Sequence, residues 1–154
     1  MTNTALYDSP IGPITLTFDG EALTGLRFGK TDDDSVNPPP TKVHRWLDLY
    51  FSGRQPDFLP PIKLFGTDFQ RRVWQALLEI PYGQTIAYGD LARRTGCRSA
   101  QAVGQAVGKN PIAIIVPCHR VIGSDASLTG YAYGIEKKRY LLQLESGHRL
   151  TVAG

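Results

Sequence analysis

Thr85-Ile86-Ala87-Tyr88-Gly89-Asp90-Leu91-Ala92-Arg93-Arg94-Thr95-Gly96-Cys97-Arg98-Ser99-Ala100-Gln101-Ala102-Val103-Gly104-Gln105-Ala106-Val107-Gly108 is the stretch whose reading decides the fold. Residues 85–94 read as a short helix carrying Ile86 and Leu91, closed at Thr95-Gly96. Ser99 caps a second helix, with Ala100, Val103 and Val107 turned inward and Gly104 and Gly108 permitting close approach. Lys109-Asn110-Pro111 ends it. Two short helices joined by a tight, glycine-containing turn form a helix-turn-helix pattern. The second helix is small and smooth (Ala100, Ala102, Gly104, Ala106, Gly108), which suits either a nucleic-acid groove or a tightly packed core. Its flanks carry Arg93, Arg94, Arg98 and Lys109, cations able to neutralise phosphates.

Upstream, Thr67 or Asp68 caps a helix through Phe69, Val73, Trp74, Leu77 and Leu78, stopped by Ile80-Pro81-Tyr82-Gly83. A loop from Gly53 to Pro61, holding three prolines, separates this part from what precedes it. The expected organisation is therefore an N-terminal α/β lobe, 1–61, and a mostly helical C-terminal domain, 62–154, winged-helix-like, in an α+β architecture. In the first lobe, Ile14 to Phe18 alternates, Asp19-Gly20 turns, and Leu23 to Phe28 returns, a small β-meander. A polar, proline-rich loop from Asp32 to Pro40 leads to a helix over 42–51 with Val43, Trp46, Leu47 and Tyr50 on one face. A last helix runs from about Ile135 to Glu145, with Ile135, Tyr140, Leu141 and Leu144 apolar.

With 154 residues the chain can bury roughly two-thirds of its unfolded surface, so no metal or disulfide is needed as a staple. The net charge of +3 is unevenly spread: residues 1–61 hold five Lys/Arg against eight Asp/Glu, residues 62–154 twelve against six. A basic C-terminal part fits a polyanionic partner there, or a solvated charged surface. No apolar run approaches the roughly 20 residues of a membrane span, and the start of the chain shows no export signal. Cys97 and Cys118 are expected as reduced thiols in a cytoplasm. The histidines at 44, 119 and 148 are too scattered for a zinc site.

The chemistry concentrates in Ile114-Ile115-Val116-Pro117-Cys118-His119-Arg120-Val121-Ile122. The apolar half reads as a buried strand that Pro117 ends or turns. Cys118 then sits at the rim of the core beside an imidazole and a guanidinium, partners that stabilise a thiolate; an inert core cysteine is the bland alternative. The loop Gly123 to Gly134, with Tyr131 and Tyr133, suits a pocket for a flat ligand or a packing anchor. Glu145, a lone acid among leucines, is either surface charge or the third member of a Cys-His-acid relay.

Pro117-Cys118-His119-Arg120-Val121, preceded by Asn110-Pro111 and followed by Gly130-Tyr131, resembles the O6-alkylguanine-DNA alkyltransferases. Phe69-Gln70-Arg71-Arg72-Val73-Trp74, Ile80-Pro81-Tyr82-Gly83 and Ile86-Ala87-Tyr88-Gly89-Asp90-Leu91-Ala92 are similar to the same family's pattern. The resemblance covers about residues 62–150 strongly and 1–61 in general layout. It implies direct repair of alkylated DNA: a monomer binds the minor groove of double-stranded DNA, everts O6-alkylguanine, and moves the alkyl group irreversibly to Cys118. On this resemblance His119 deprotonates Cys118 through a water, Glu145 orients His119, and Tyr88 donates a proton towards guanine N3. The carbonyls of Cys118 and Val121 read the exocyclic amine, and the Ala132 amide faces O6, with Tyr131 and Tyr133 lining the pocket. Lys138 supports the active-site loop, and Asn110 is the hinge tying the recognition helix to the cysteine segment. Gln101, Ala102, Arg94, Arg98, Lys109 and Arg120 are the expected DNA-contacting residues.

The chain departs from the family at two places. Gln101 stands where the family has an arginine that fills the gap in the base stack, and the turn before it is one residue shorter. Weaker DNA affinity or a different flipping device follows, with Arg98 able to reach the vacated space from the turn. Tyr133 stands at a loop position where the family has glycine, which implies a narrower pocket that discriminates against bulky adducts. Two other readings compete: a lesion-sensing DNA-binding protein without transfer activity, and a cysteine hydrolase using Cys118, His119 and Glu145.

Overall fold

The computed structural model describes residues 2–31, 36–123, 125, 127–128 and 130–147. Asp32 to Ser35 of the acidic loop, Ser124, Ala126 and Thr129 of the loop after the cysteine, and His148 lie outside the described residues. The chain forms two compact units, Met1–Phe65 and Gly66–Gly154. The segment 62–65 thus belongs with the first unit, not the second: the Leu23 N–H donates to the Pro61 carbonyl at 2.8 Å and the Lys63 N–H to the Leu23 carbonyl at 2.9 Å.

The first unit is an antiparallel meander of β1 (Asn3–Ser9), β2 (Gly12–Asp19) and β3 (Ala22–Phe28), in that order, followed by helix α1 (Thr41–Phe51). Ile14, Leu16 and Phe18 alternate inward along β2. On β3 the buried leucines, Leu23 and Leu26, are three apart, against the period of a plain strand. A bulge explains this. Thr17 pairs with Gly25 and Phe18 with Leu23, so Thr24 is skipped and Leu23 returns to the inner face. Helix α1 buries the four residues expected of it, Val43, Trp46, Leu47 and Tyr50, with Trp46 stacked on Tyr50 at 5.1 Å.

The second unit is helical. Helix α2 (Asp68–Leu78) opens on a complete capping box: the Thr67 side chain accepts from the Gln70 N–H at 3.1 Å, and the Gln70 side chain accepts from the Thr67 N–H at 3.0 Å. It buries Val73, Trp74 and Leu77, and the Trp74 indole donates to the Ala106 carbonyl at 2.8 Å. This bond pins α2 to helix α4 (Ala100–Gly108), on which helix α3 (Tyr88–Arg94) also packs.

Five sequence expectations need correction here. Residues 85–87 are not helical: Ile86–Ala87 form strand β4, parallel to strand β5 (Val121–Ile122), so α3 starts at Tyr88. Bridging to β5 uses the backbone groups that a first helical turn would have taken. On α4 it is Ala106, not Ala100, that joins Val103 and Val107 in the core, because Ala100 is the first residue after the Ser99 cap and faces out. Nothing lies within 4 Å of where a Gly108 Cβ would stand, so no close approach requires that glycine. The run before the cysteine is buried but not a strand. It is a compact turn in which the Val116 N–H donates to the Ile112 carbonyl and Ile114 takes a left-handed φ of 71°. For a β-branched side chain that conformation costs about 1–3 kcal/mol, which the enclosing core supplies. Finally, helix α5 (Ile135–Glu145) leaves Ile135 exposed and buries Lys138, Leu141 and Glu145.

Candidate active site

Cys118 opens a single 3-10 turn, Cys118–Arg120, that leads straight into β5. The turn is set by Asn110. Its side-chain amide donates to the Val116 carbonyl at 2.7 Å, and its carbonyl oxygen accepts from the Ile112 N–H at 3.0 Å. One buried side chain thus ties both ends of the strained segment, and the end of α4 becomes continuous with the seat of the cysteine. The Asn110 side chain engages the protein's own backbone at both ends of this segment.

All three residues of the turn are buried, His119 completely. The His119 Nε2 lies 2.5 Å from Oε2 of Glu145. The other carboxylate oxygen, Oε1, accepts from Arg120 Nε at 2.7 Å and from the Gly83 N–H at 3.3 Å. A second guanidinium nitrogen of Arg120 donates to the Ile80 carbonyl at 2.7 Å. Glu145 is therefore a buried carboxylate bonded to His119, not a surface charge. Arg120, in contrast, is not the exposed phosphate contact expected: it is 8% exposed, and two of its nitrogens are engaged by Glu145 and the Ile80 carbonyl. Ile80 and Gly83 went unread as site residues. The signal was the Ile80-Pro81-Tyr82-Gly83 turn itself, which interrupts a helix and so frees backbone groups for other partners. Gly83 sits at φ +81°, and a Cβ there would stand 3.2 Å from the Glu145 carbonyl oxygen.

Lys138 donates to the Val121 carbonyl at 2.5 Å, and its ammonium lies 5.9 Å from the centre of the Tyr88 ring. It, too, engages backbone. The Val121 N–H donates in turn to the Cys118 carbonyl. Both carbonyls expected to read a base thus already accept a bond from within the protein, and a carbonyl oxygen has two lone pairs. The Tyr88 hydroxyl reaches the loop after the cysteine at Gly130, where a Cβ would stand only 2.9 Å from it. Tyr131 and Tyr133 meet edge to face at 5.7 Å. Ala132 between them is exposed.

Burial pushes the Cys118 thiol above its ordinary value, against the Asn110 amide, the Lys138 ammonium and the turn's own N–H, which pull it down. Burial would raise the Glu145 carboxyl, but His119 and Arg120 outweigh it and hold the group at about 2. Burial also lowers His119, aided by Arg120 and Lys138 and opposed by Glu145. The consistent state is an ionised Glu145 accepting the Nε2 proton of a neutral His119, whose lone pair then lies on Nδ1. Burial raises Tyr88 and Tyr131, as does the charge that Cys118 would carry as a thiolate.

The remaining expected DNA contacts are not among these buried groups. Gln101, Arg94, Arg98 and Lys109 are exposed, and Ala102 is half-buried. Arg94 lines two open depressions, one of about 600 Å³ shared with Arg71, Arg72 and Gln75, the other of about 470 Å³ shared with Gln84, Thr85 and Asp90. Among the described residues, no group of three or more His, Cys, Asp or Glu side chains is placed to hold a metal, and no helix is long and apolar enough to cross a membrane.

A helix-turn-helix unit with basic residues on its surface, and within it a buried Cys118-His119-Arg120 turn whose histidine and arginine both meet Glu145, defines a class: a nucleic-acid-handling unit with a cysteine held beside buried charge. Comparison with known proteins narrows the class. The 6-O-methylguanine DNA methyltransferase DNA-binding domain matches residues 68–147, and the ribonuclease-like domain of the same family matches residues 3–64. The methylated-DNA–protein-cysteine methyltransferase of Mycobacterium tuberculosis is 49% identical over 152 residues, covering 90% of this chain and 88% of that protein. The protein of the same description from Methanosarcina acetivorans is 45% identical over 151 residues, covering 92% and 96%. Among solved structures, the O6-methylguanine methyltransferase of Mycobacterium tuberculosis superposes with a TM-score of 0.88 at 46% identity over the whole of both chains. The structure of Mycobacterium tuberculosis OGT in complex with DNA gives 0.87 at 48% identity, covering 95% of this chain and 94% of that one. The chain belongs to the 6-O-methylguanine DNA methyltransferase family, and is a methyltransferase of direct DNA repair.

Proposed function

We propose that Cys118 is the alkyl acceptor, and that the chain acts once on O6-alkylguanine everted from the minor groove of double-stranded DNA. In this reading the neutral His119 takes the thiol proton, through a water, while Glu145 stabilises the imidazolium that results. The sulfur attacks the alkyl carbon in line, the carbon–O6 bond breaks, and its electron pair passes into the guanine. Tyr88 supplies a proton to N3, so that a neutral guanine departs. The product is a thioether on Cys118, which no group in the site is equipped to hydrolyse. No metal or cofactor takes part.

Gln101, Ala102, Arg94, Arg98 and Lys109 are the proposed contacts to DNA, with Gln101 a weaker filler of the vacated stack than an arginine. Val121, Ala132, Tyr131 and Tyr133 are proposed to line the base pocket, where the Tyr133 phenol leaves less room than a glycine. The acidic N-terminal unit is assigned a scaffolding role and not DNA contact. A monomer working in the cytoplasm fits two unbridged cysteines.

The observation that carries the reading is the 2.5 Å His119–Glu145 contact, buried in the same turn that presents Cys118. Mixing the protein with a duplex containing methylated guanine and weighing it tests the reading. A stable methyl adduct on Cys118 in an amount never exceeding the protein supports transfer. Binding without an adduct supports lesion sensing, and turnover on a small ester without DNA supports hydrolysis.

A further inference from the structure

We propose that Arg120 is a positioning residue for the transfer: its guanidinium holds Glu145 against His119 and ties the Cys118 turn to the carbonyl of Ile80. The inference rests on the reading of Cys118 as the alkyl acceptor. Arg120 makes two bonds of 2.7 Å to two different segments, Nε to Glu145 on α5 and a terminal nitrogen to Ile80 after α2. A carboxylate at the end of a glutamate rotates freely unless one oxygen is fixed. Here Arg120 and the Gly83 N–H fix Oε1, which leaves Oε2 directed at His119. The planar fork of a guanidinium sets both directions at once, which an ammonium cannot do. The Tyr82 ring, centred 5.6 Å from the guanidinium carbon, limits its swing.

The charge matters as much as the shape. A permanent cation beside Glu145 keeps the carboxylate ionised, and the same cation disfavours an imidazolium at His119. His119 is thereby oriented by an anion yet remains neutral, the state a general base requires. Its charged and titratable surroundings are Cys118 and Arg120 from its own turn, and Glu145 and Lys138 from α5. Tyr82 from the turn after α2, Tyr131 from the loop before α5 and Tyr88 from α3 complete the set through Glu145 and Cys118. The charged side chains of α2 (Asp68, Arg71 and Arg72) are exposed.

The test is single-turnover transfer from a methylated duplex at saturating DNA, across about pH 5 to 9, for the wild type, Arg120→Lys and Arg120→Met. Arg120→Met is expected to slow transfer about 100-fold, as a misplaced catalytic group does. Its acid limb moves to higher pH, because His119 loses a neighbouring cation and takes a proton more readily. Arg120→Lys is expected to slow transfer about 10-fold with the limb in place, since charge is kept and only the fork is lost. Duplex affinity and its salt dependence stay as in the wild type. The proposal is overturned if both variants transfer like the wild type, or if Arg120→Met is slow with an unmoved limb, which is packing alone. It is equally overturned if the variants lose salt-dependent affinity while transfer at saturation holds, which is a phosphate contact. Should Arg120→Met fail to fold, nitrogen-15 shifts of His119 in the intact wild type decide the question. A neutral, Nε2-protonated ring titrating below 6.5 is expected, and an imidazolium or an Nδ1-protonated ring at neutral pH overturns the proposal. If the wild type itself gains no adduct on Cys118, the function fails, a result separate from any of these.

Discussion

Helices α2 and α5 have the same length, 11 residues each, and bury opposite kinds of side chain. The first inserts Val73, Trp74 and Leu77 into the core and starts on a capping box. The second begins on Gly134 with no side-chain cap and inserts Lys138, Leu141 and Glu145. An apolar stripe is worth about 1.5–3 kcal/mol per buried residue and asks nothing of its neighbours. A buried lysine and a buried glutamate each cost several kcal/mol unless every charge finds partners. Those partners are the Val121 carbonyl for Lys138, and His119, Arg120 and Gly83 for Glu145. Helix α2 is therefore built for stability, while α5 spends stability to hold two charges beside the Cys118 turn.

The sharpest way to break this contrast is Glu145→Leu. The substitution leaves His119 and Arg120 buried without their anion, and a loss of about 3–5 kcal/mol in urea unfolding is expected. A loss below about 1 kcal/mol would mean that α5 is no different from a surface helix. Acid titration sharpens the point. Glu145 sits at about 2 in the folded chain, below its ordinary 4.5, so its contribution is complete above 4.5 and disappears as the pH falls towards 2. His119 is held below 6.5, so the unfolded chain takes up its proton first and stability already declines as the pH drops through that value. Wild-type unfolding curves should show both declines, and Glu145→Leu should lack the lower one.

Leu77→Ala and Lys138→Met then separate the two helices by what each loses. Leu77 is fully buried on α2, and its truncation is expected to cost about 2–5 kcal/mol while transfer at saturating DNA keeps its rate. Lys138→Met keeps the volume but strands the Val121 carbonyl, a cost of about 1–3 kcal/mol. Here the rate should fall as well, because β5 leaves the Cys118 turn through that residue. Paired chevron and single-turnover measurements check both. A slow Leu77→Ala or a fast Lys138→Met would erase the division of labour.

The same contrast marks how far the sequence could be read. Helix α2 was legible to within a residue, cap included, because periodicity and capping are local. Helix α1 and the meander were legible for the same reason. The relay was half legible: the Cys118-His119 pair and Glu145 stand out by residue type, but nothing local says that Lys138 points inward. Arg120 misled most. A basic residue in a basic stretch reads as solvent-facing, and only the approach of the Ile80 turn and of α5, 40 and 25 residues away in sequence, turns it into a core residue. The strand expected before Cys118 failed on similar grounds. Residues 112–116 are apolar because they are buried, and burial alone does not separate a strand from a turn held by Asn110.

The smallest effect falls on the cap of α2, which the sequence placed at Thr67 or Asp68 and the structure places at Thr67. Thr67→Ala removes one half of the capping box of α2, leaving the Gln70 N–H without its acceptor. A loss of about 1 kcal/mol is expected, visible as a lower urea midpoint with an unchanged slope. Transfer at saturating DNA should be untouched, because Thr67 stands at the N-terminal end of α2, whereas the Ile80 carbonyl that Arg120 engages lies beyond its other end. A Thr67→Ser control, which keeps the accepting oxygen, should restore most of the loss. If Thr67→Ala instead slows transfer, fraying at the start of α2 is transmitted to the Arg120–Ile80 bond. The helix assigned to stability would then share in positioning Glu145.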